Sequence, residues 1–262
     1  MNRFLSIILS LISIVSTNQA MDRALSKEQI VDLKPVSTRT DEHKKKFLMA
    51  QIDLIKQLVP NSTLVTSTDD SGLTLVMRAA QQNMADEIRE LKQLGADILA
   101  PNQTWENFGS TALHYAAAKG CLEAITCLVK LGAYLETDNL IGTSLHVAAW
   151  NGQPEAVKLL TYLGANLEAH CRKDGYTPLH KAAQANKPEV IQCLVALGAN
   201  INARAFDGKT PLHCAGLKNN QEAVLCLLQA GAIRNVLDAD GQSAIDYTTD
   251  AIIRSYFSKK FS

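Results

Sequence analysis

The chain has 262 residues, of which 47% are hydrophobic and 20% are charged, and its 26 Lys and Arg residues balance 26 Asp and Glu residues. A formal net charge of zero excludes a global basic field that would draw the chain to nucleic acid or to anionic membranes. The aromatic content of 5% favours a core of Leu, Ala and Val.

The first twenty residues have the layout of a secretory signal peptide. Arg3 supplies a positive start, an apolar run interrupted by serines covers residues 4–15, and small or polar residues lead to Ala20. The apolar run is too short to span a membrane comfortably. We therefore expect export, to the periplasm or out of the cell, with cleavage near Ala20, although Asn18 occupies a position that prefers a small residue. An uncleaved anchor and a buried helix are the alternatives.

Residues 21–65 are predicted to form a helical cap and linker. Residues 26–29 read as a capping box that opens a short helix, which Pro35 ends. A clearer helix is predicted over residues 44–59, where apolar residues recur on one stripe. Its three lysines at 44–46 lack interleaved aromatic residues, so we interpret them as a solvated helix face. We expect this helix to cover the first unit of the array that follows.

Two landmarks recur from residue 66 to about residue 257, with a period near 33 residues. The second landmark is Leu-Gly-Ala, which ends the second helix in four units and is Ala-Gly-Ala at Ala230 in the fifth. The first is a helix-start tetrapeptide, complete in four copies and degenerate in the two at the ends: Thr74–Met77, Thr111–His114, Thr143–His146, Thr177–His180, Thr210–His213 and Ser243–Asp246. Threonine can cap the helix, whereas leucine and the paired alanines face the neighbouring units. Because each helix has only about two or three turns, a unit buries its apolar face only against its neighbours.

This period and tetrapeptide resemble the ankyrin repeat. The resemblance implies an all-α solenoid of helix–turn–helix units joined by β-hairpin or loop fingers, with about six repeats including the degenerate ends. The array would cover residues 66–257 and leave residues 258–262 as a C-terminal tail. About four extra residues lengthen one finger and place Trp105 and Phe108 there. Gly198 is predicted to end its helix in a left-handed conformation.

The histidines and cysteines fit structural roles better than chemical ones. At one place per repeat, each motif histidine is expected to bond backbone groups of the adjoining finger, and we expect no metal site or catalytic role. The pair His170 and Cys171 lacks further ligands at zinc spacing. Three of the six cysteines share one slot in successive second helices, about 10 Å apart, which is too far for a disulfide. We therefore expect free thiols, in mild conflict with an oxidising destination.

Residues 203–210 nearly match a phosphate-binding loop, but they follow a repeat loop instead of a buried strand, and Asp207 would repel phosphate. No catalytic signature stands elsewhere, so we expect no enzymatic activity and no cofactor. Asn61 and Asn102 match the N-glycosylation pattern, which matters only in a eukaryotic host.

The resemblance implies that the chain binds another protein through its concave side, its finger tips and the ends of its first helices. Ser110, Lys119, Asn139 and Gln184 fall at such positions in register. The predicted contact residues are Phe108, Leu140, Trp150, Asn151, Lys173, Tyr176, Phe206, Lys209, Leu217 and Lys218. For each of them the alternative is packing against the next finger. The lysines among them suggest an acidic rim on the partner.

We therefore predict an exported, non-enzymatic, monomeric scaffold whose partner is another protein, with no nucleic acid and no small-molecule cofactor. The alternatives are a membrane-tethered adaptor, if the N-terminal segment is uncleaved, and an accessory subunit of an enzyme.

Overall fold

The computed structural model describes residues 41–58 and 68–258. The predicted signal peptide, the first predicted cap helix and residues 259–262 of the predicted tail lie outside this part of the chain. Within it, helix α1 spans Asp41–Leu58 and starts three residues before the predicted residue 44. Helix α1 lies against the first helix pair, and its Leu48 and Ile52 side chains are buried.

Six pairs of short helices follow α1 in the described residues. The first helices of the pairs are α2 (Leu75–Gln81), α4 (Ala112–Lys119), α6 (Ser144–Asn151), α8 (Pro178–Gln184), α10 (Pro211–Leu217) and α12 (Ala244–Tyr247). The second helices are α3 (Ala85–Gln93), α5 (Leu122–Lys130), α7 (Pro154–Tyr162), α9 (Pro188–Ala196), α11 (Gln221–Gln229) and α13 (Ala251–Ser258). First helices stack on first helices and second on second, so the architecture is the predicted solenoid of about six repeats.

Each first helix begins at the threonine or serine of the tetrapeptide, which has an extended backbone and forms a capping box with the side chain three residues later. In the first repeat Met77 replaces the histidine, and its sulfur accepts a hydrogen bond from the backbone N–H of Thr74 at 3.5 Å. Degenerate sequence at this end therefore preserves the geometry of the helix start.

In the first five repeats, the turn between the two helices contains a left-handed residue. Asn83, Asn186 and Asn219 have φ of 58°, 52° and 54°, and Gly120 and Gly152 occupy the same place in the second and third repeats. After the second helix Gly198 has φ of 94°, which confirms its predicted role. Two backbone reversals per repeat therefore return the chain to the same face of the stack.

The core is one continuous layer between the two rows of helices. Leu179 and the paired alanines Ala182 and Ala183 are buried, as predicted for the stacking face. In α10 the second alanine of the pair is replaced by Gly216, where a Cβ would stand 2.6 Å from the carbonyl oxygen of Ala244. The glycine therefore lets the short terminal helix α12 approach the array more closely than an alanine would allow.

The fingers between repeats are tight turns, and the described residues contain no strand. The β-hairpin form that was one of the two expectations is reduced to one or two backbone hydrogen bonds across each turn, such as Cys171 N to Tyr176 O at 3.0 Å and Ala205 N to Lys209 O at 2.9 Å. An Asp or Asn in each finger closes the turn by accepting backbone N–H groups two or more residues ahead, as Asp174 does from Tyr176.

Candidate functional site

The motif histidines fasten each repeat to the finger that follows it. In the fourth repeat the backbone N–H of Thr177 donates to His180 Nδ1 at 3.1 Å, and His180 Nε2 lies 3.0 Å from the carbonyl oxygen of Lys209. Because Nδ1 accepts from a backbone N–H, the ring proton is on Nε2 and is donated to that carbonyl. His114, His146 and His213 make the equivalent bonds to Gly142, Tyr176 and Gln242. The predicted bond to the adjoining finger is confirmed.

These histidines are held neutral. Burial lowers the pKa of His114, His146 and His180 to about 4, and it also lowers the pKa of His213. A bond to a backbone carbonyl only partly opposes this effect, because the imidazolium would lose nearly all of its hydration in the core. Both ring nitrogens are therefore committed to structure at neutral pH.

Asn83, Asn186 and Asn219 link repeats on the opposite side of the first helices. The Oδ1 atom of Asn186 accepts the N–H of Ala223 at 3.0 Å, at the start of the second helix of the next repeat, and Asn83 does the same for Ala124 at 3.1 Å. We did not predict these contacts from the sequence. The recurrence of Asn or Gly at one place per repeat is the signal that could have revealed this second fastening.

Two buried lysines fill the groove between the fingers and the first helices. Lys181 Nζ lies 3.2 Å from Asp174 Oδ2 and 4.9 Å from the ring centroid of Tyr176. Lys209 Nζ lies 2.9 Å from Asp207 Oδ2 and 3.5 Å from Asp238 Oδ2. Burial acts to lower the pKa of Lys209, but its contacts with Asp207 outweigh that effect and raise it. Asp207 and Lys209 belong to the segment that nearly matches a phosphate-binding loop, and here they are bonded to each other.

Two of the predicted contact residues, Tyr176 and Lys209, are buried and therefore do not lie on the exposed surface. Tyr176 is only 8% exposed and stacks on His180 with ring centroids 5.2 Å apart. Lys209 is buried between two carboxylates. For both residues the alternative of packing against neighbouring structure describes the position, because their side chains complete the groove between successive fingers.

The other predicted contact residues are exposed and form two strips on the described part of the array. One strip follows the ends of the first helices and contains Trp150, Asn151, Leu217 and Lys218. The second follows the finger tips and contains Phe108, Leu140, Lys173 and Phe206. The filled groove with Tyr176, Lys181 and Lys209 separates them. A partner that uses both strips must therefore cross a surface that is already packed.

The finger-tip strip also holds exposed residues that were not among the predicted contacts. Trp105 in the lengthened finger is 82% exposed, and Leu237 in the last finger is also exposed. The side chain of Arg172, next to Lys173, is 88% exposed. Trp105 was noticed only as part of the insertion, and Arg172 had no motif to single it out.

The six cysteines are free and buried. The Sγ atoms of Cys127, Cys193 and Cys226 donate to the carbonyl oxygens of Ala85, Pro154 and Pro188, each in the second helix of an earlier repeat. Burial raises the pKa of these thiols. They are small apolar residues of the stack with weak donor bonds.

Asn102 is fully buried at the base of the lengthened finger. Its amide nitrogen donates to the carbonyl oxygen of Ser71 at 3.0 Å and to the hydroxyl of Tyr115 at 2.9 Å. A glycan cannot be attached to this amide in the folded chain. The second pattern, at Asn61, lies outside the described residues.

Among the described residues, no group of three His, Cys, Asp or Glu side chains could hold a metal ion. None of the helices in the described ranges has the length and apolar character needed to cross a membrane.

Paired helices stacked at a constant period, with buried histidines that fasten one repeat to the next, define a helical repeat solenoid. The protein family described as ankyrin repeats (3 copies) matches residues 47–139 and 143–240. These ranges cover more than half of the chain, and the protein belongs to the ankyrin repeat family. Ankyrin repeats are protein-interaction modules, which places the chain among protein–protein interaction scaffolds.

Among solved structures, the chain is similar to the crystal structure of the ankyrin repeat domain of Bcl-3, described as a unique member of the IkappaB protein family. The TM-score is 0.64 at 24% sequence identity, and the match covers 85% of this chain and 99% of that one. At this identity the similarity shows the fold alone. No curated protein matches the chain.

Proposed function

We propose that the chain is a scaffold that grips another protein through its finger tips and the ends of its first helices, and that it acts by binding and not by catalysis. The observation that carries this proposal is the set of exposed large apolar side chains that the stack does not need. Trp150 is 37% exposed at the end of α6, and Phe206 is 70% exposed at a finger tip. Large aromatic side chains of this kind commonly dominate binding energy in interfaces.

The chemistry of the interior supports binding over catalysis. The motif histidines have both ring nitrogens engaged, and burial raises the pKa of the cysteine thiols and so disfavours the nucleophilic thiolate. The exposed side chains offer contact area and charge instead. A monomer with a single protein partner is the simplest assembly in which both strips remain available.

Replacement of Trp150 or Leu217 by alanine should weaken partner binding by tenfold or more, because each removes exposed apolar area from the first-helix strip. The partner is first captured with the wild-type chain and identified by mass spectrometry, and its dissociation constant is then measured for each variant. Lys158→Ala is the matched control, since Lys158 is an exposed residue of the second helix α7. Equal weakening by Lys158→Ala, with all three variants folded, would contradict the assignment of the binding face.

We further propose that the scaffold is exported to the periplasm or out of the cell. The positive start, apolar run and small-residue exit of residues 1–20 support this. A fusion of residues 1–25 to a reporter that is active only outside the cytosol should give signal, and the mature protein should have lost about twenty residues by mass. A full-length mass with an active reporter would favour the membrane-tethered alternative, and a silent reporter would contradict export.

A further inference from the structure

The finger tips form one continuous ridge, because each finger is bonded to the next. Asn139 Nδ2 donates to Ser110 Oγ at 2.8 Å, and the backbone N–H of Arg172 donates to Asp138 Oδ2 at 3.1 Å. Phe206 N then donates to the carbonyl oxygen of Asp174 at 3.2 Å. We call this surface the finger-tip ridge, and its exposed side chains include Trp105, Phe108, Leu140, Arg172, Lys173 and Phe206.

The ridge has an apolar–cationic–apolar order along the array. Trp105, Phe108 and Leu140 occupy its first two fingers and Phe206 the fourth, whereas Arg172 and Lys173 occupy the third. Phe206 is held in place by its neighbour, since its ring stacks on His170 with centroids 6.4 Å apart and an interplanar angle of 13°. Apolar side chains thus stand on both sides of a cationic centre, and the one at Phe206 is held in place by a stacked ring.

The fingers neutralise the cationic centre only in part, since Asp138 is paired with Arg172. The Asp138 side chain is 8% exposed beneath Arg172, at 3.6 Å from the guanidinium Nε, and the Arg172 side chain remains 88% exposed. Asp174 and Asp207 are bonded to the buried lysines Lys181 and Lys209. Within the described residues Lys173 has no ion-pair partner. The middle of the ridge therefore presents positive charge although the whole chain is neutral.

Resting on the proposed function, we propose that the finger-tip ridge binds an extended segment of the partner protein that has carboxylates at its centre and large apolar side chains at both ends. Carboxylates match the exposed Arg172 and Lys173, and apolar side chains match Leu140 and Phe206. Three repeat steps of about 10 Å separate the first finger of the ridge, which holds Phe108, from the fourth, which holds Phe206. An extended chain of about nine or ten residues spans that distance at about 3.3 Å per residue.

A nucleic acid fits this ridge less well than an acidic peptide. Nucleic-acid binding depends on rows of cations that follow the phosphate backbone, whereas here two adjacent cations stand between apolar fingers. Leu140 also offers no ring on which a base could stack. A single-stranded oligonucleotide is therefore included in the test as a competitor that should fail.

Two fluorescein-labelled ten-residue peptides test the proposal by fluorescence anisotropy with the full chain. Both carry leucine and phenylalanine at each end, and the central three residues are glutamate in one and lysine in the other. The glutamate peptide should bind about tenfold more tightly, since each exposed ion pair contributes at most a few-fold. Lys173→Glu should remove most of that difference, and Leu140→Ser should weaken the glutamate peptide.

Lys158→Glu is the matched control, with the same charge change on an exposed lysine of α7. It should leave the preference intact, and thermal melts should show that all three variants are folded. Equal binding of the two peptides, no binding of either, an equal effect of Lys158→Glu, or displacement by a ten-nucleotide single strand would each overturn the proposal. If the captured partner still binds in a Trp150-dependent manner in those cases, the proposed function stands while this ridge assignment fails.

Discussion

Replacement of Lys209 by methionine should lower the free energy of unfolding by about 3 kcal/mol. Breaking a buried ion pair by removing one partner costs roughly 3–5 kcal/mol, because the remaining charge is left uncompensated. The Lys209 side chain is 11% exposed and Asp238 is 0% exposed. The lower end of the range applies because Asp238 keeps hydrogen bonds from the Tyr247 hydroxyl and from the N–H groups of Asp240 and Gln242.

Methionine retains most of the apolar stem of lysine, so this change removes the charge with little loss of packing. Urea unfolding of Lys209→Met should be compared with Lys218→Met, which alters an exposed lysine and should change stability by less than about 0.5 kcal/mol. In the double variant Lys209→Met/Asp238→Asn the loss should be smaller than the sum of the single losses. Equal stability of the two methionine variants would show that Lys209 does not hold the last two fingers together.

The sequence predicted most of the fold because the repeat period carries it. Helix starts at Thr177 and Thr210, the left-handed Gly198 and the buried Leu179 all follow from local patterns that recur in every unit. Each pattern has a local physical cause, either a cap, a left-handed turn or an apolar stripe. Because these local patterns recur at the same positions in successive repeats, together they predict the fold.

The sequence did not show which finger residues are exposed, because that depends on how the side chains of neighbouring repeats fill the groove. Tyr176 has the composition of an interface residue, yet Lys181 from its own first helix and Asp174 from its own finger enclose it. Lys173, three residues earlier, is exposed. Nothing local distinguishes the two positions, since both stand in the same six-residue turn.

The stability of the folded chain should fall steeply as the pH drops from 7 to 5, through the motif histidines. The pKa of His114, His146 and His180 is about 4 in the folded chain, against 6.5 for an exposed imidazole. Between these values the unfolded chain binds protons that the folded chain does not. This stabilising contribution is therefore fully present above pH 6.5 and is lost progressively as the pH falls toward 4.

At pH 5 the expected loss of unfolding free energy is roughly 2 kcal/mol per histidine. This pH lies about 1.5 units below the pKa of the unfolded imidazole, and each unit corresponds to about 1.36 kcal/mol. Three such groups together approach the whole stability of many domains, so unfolding near pH 5 is expected. The carboxylates do not share this window. The folded pKa of Asp174 and Asp238 is lowered from 3.8, so their contribution is lost only as the pH falls below about 4.

Urea unfolding at pH 7.5, 6.5, 5.5 and 5.0 measures this dependence, and His180→Gln identifies its source. Glutamine cannot titrate, so the variant should be less stable than the wild type at pH 7.5, where the bond from Nε2 to the Lys209 carbonyl is lost. Its stability should then fall less steeply between pH 7.5 and 5.0, by about one histidine's share. Leu140→Ser is the control, because Leu140 is exposed on a finger and its replacement removes no titratable group. A wild-type stability that stays constant between pH 7 and 5 would mean that the buried imidazoles accept protons without leaving their carbonyl partners.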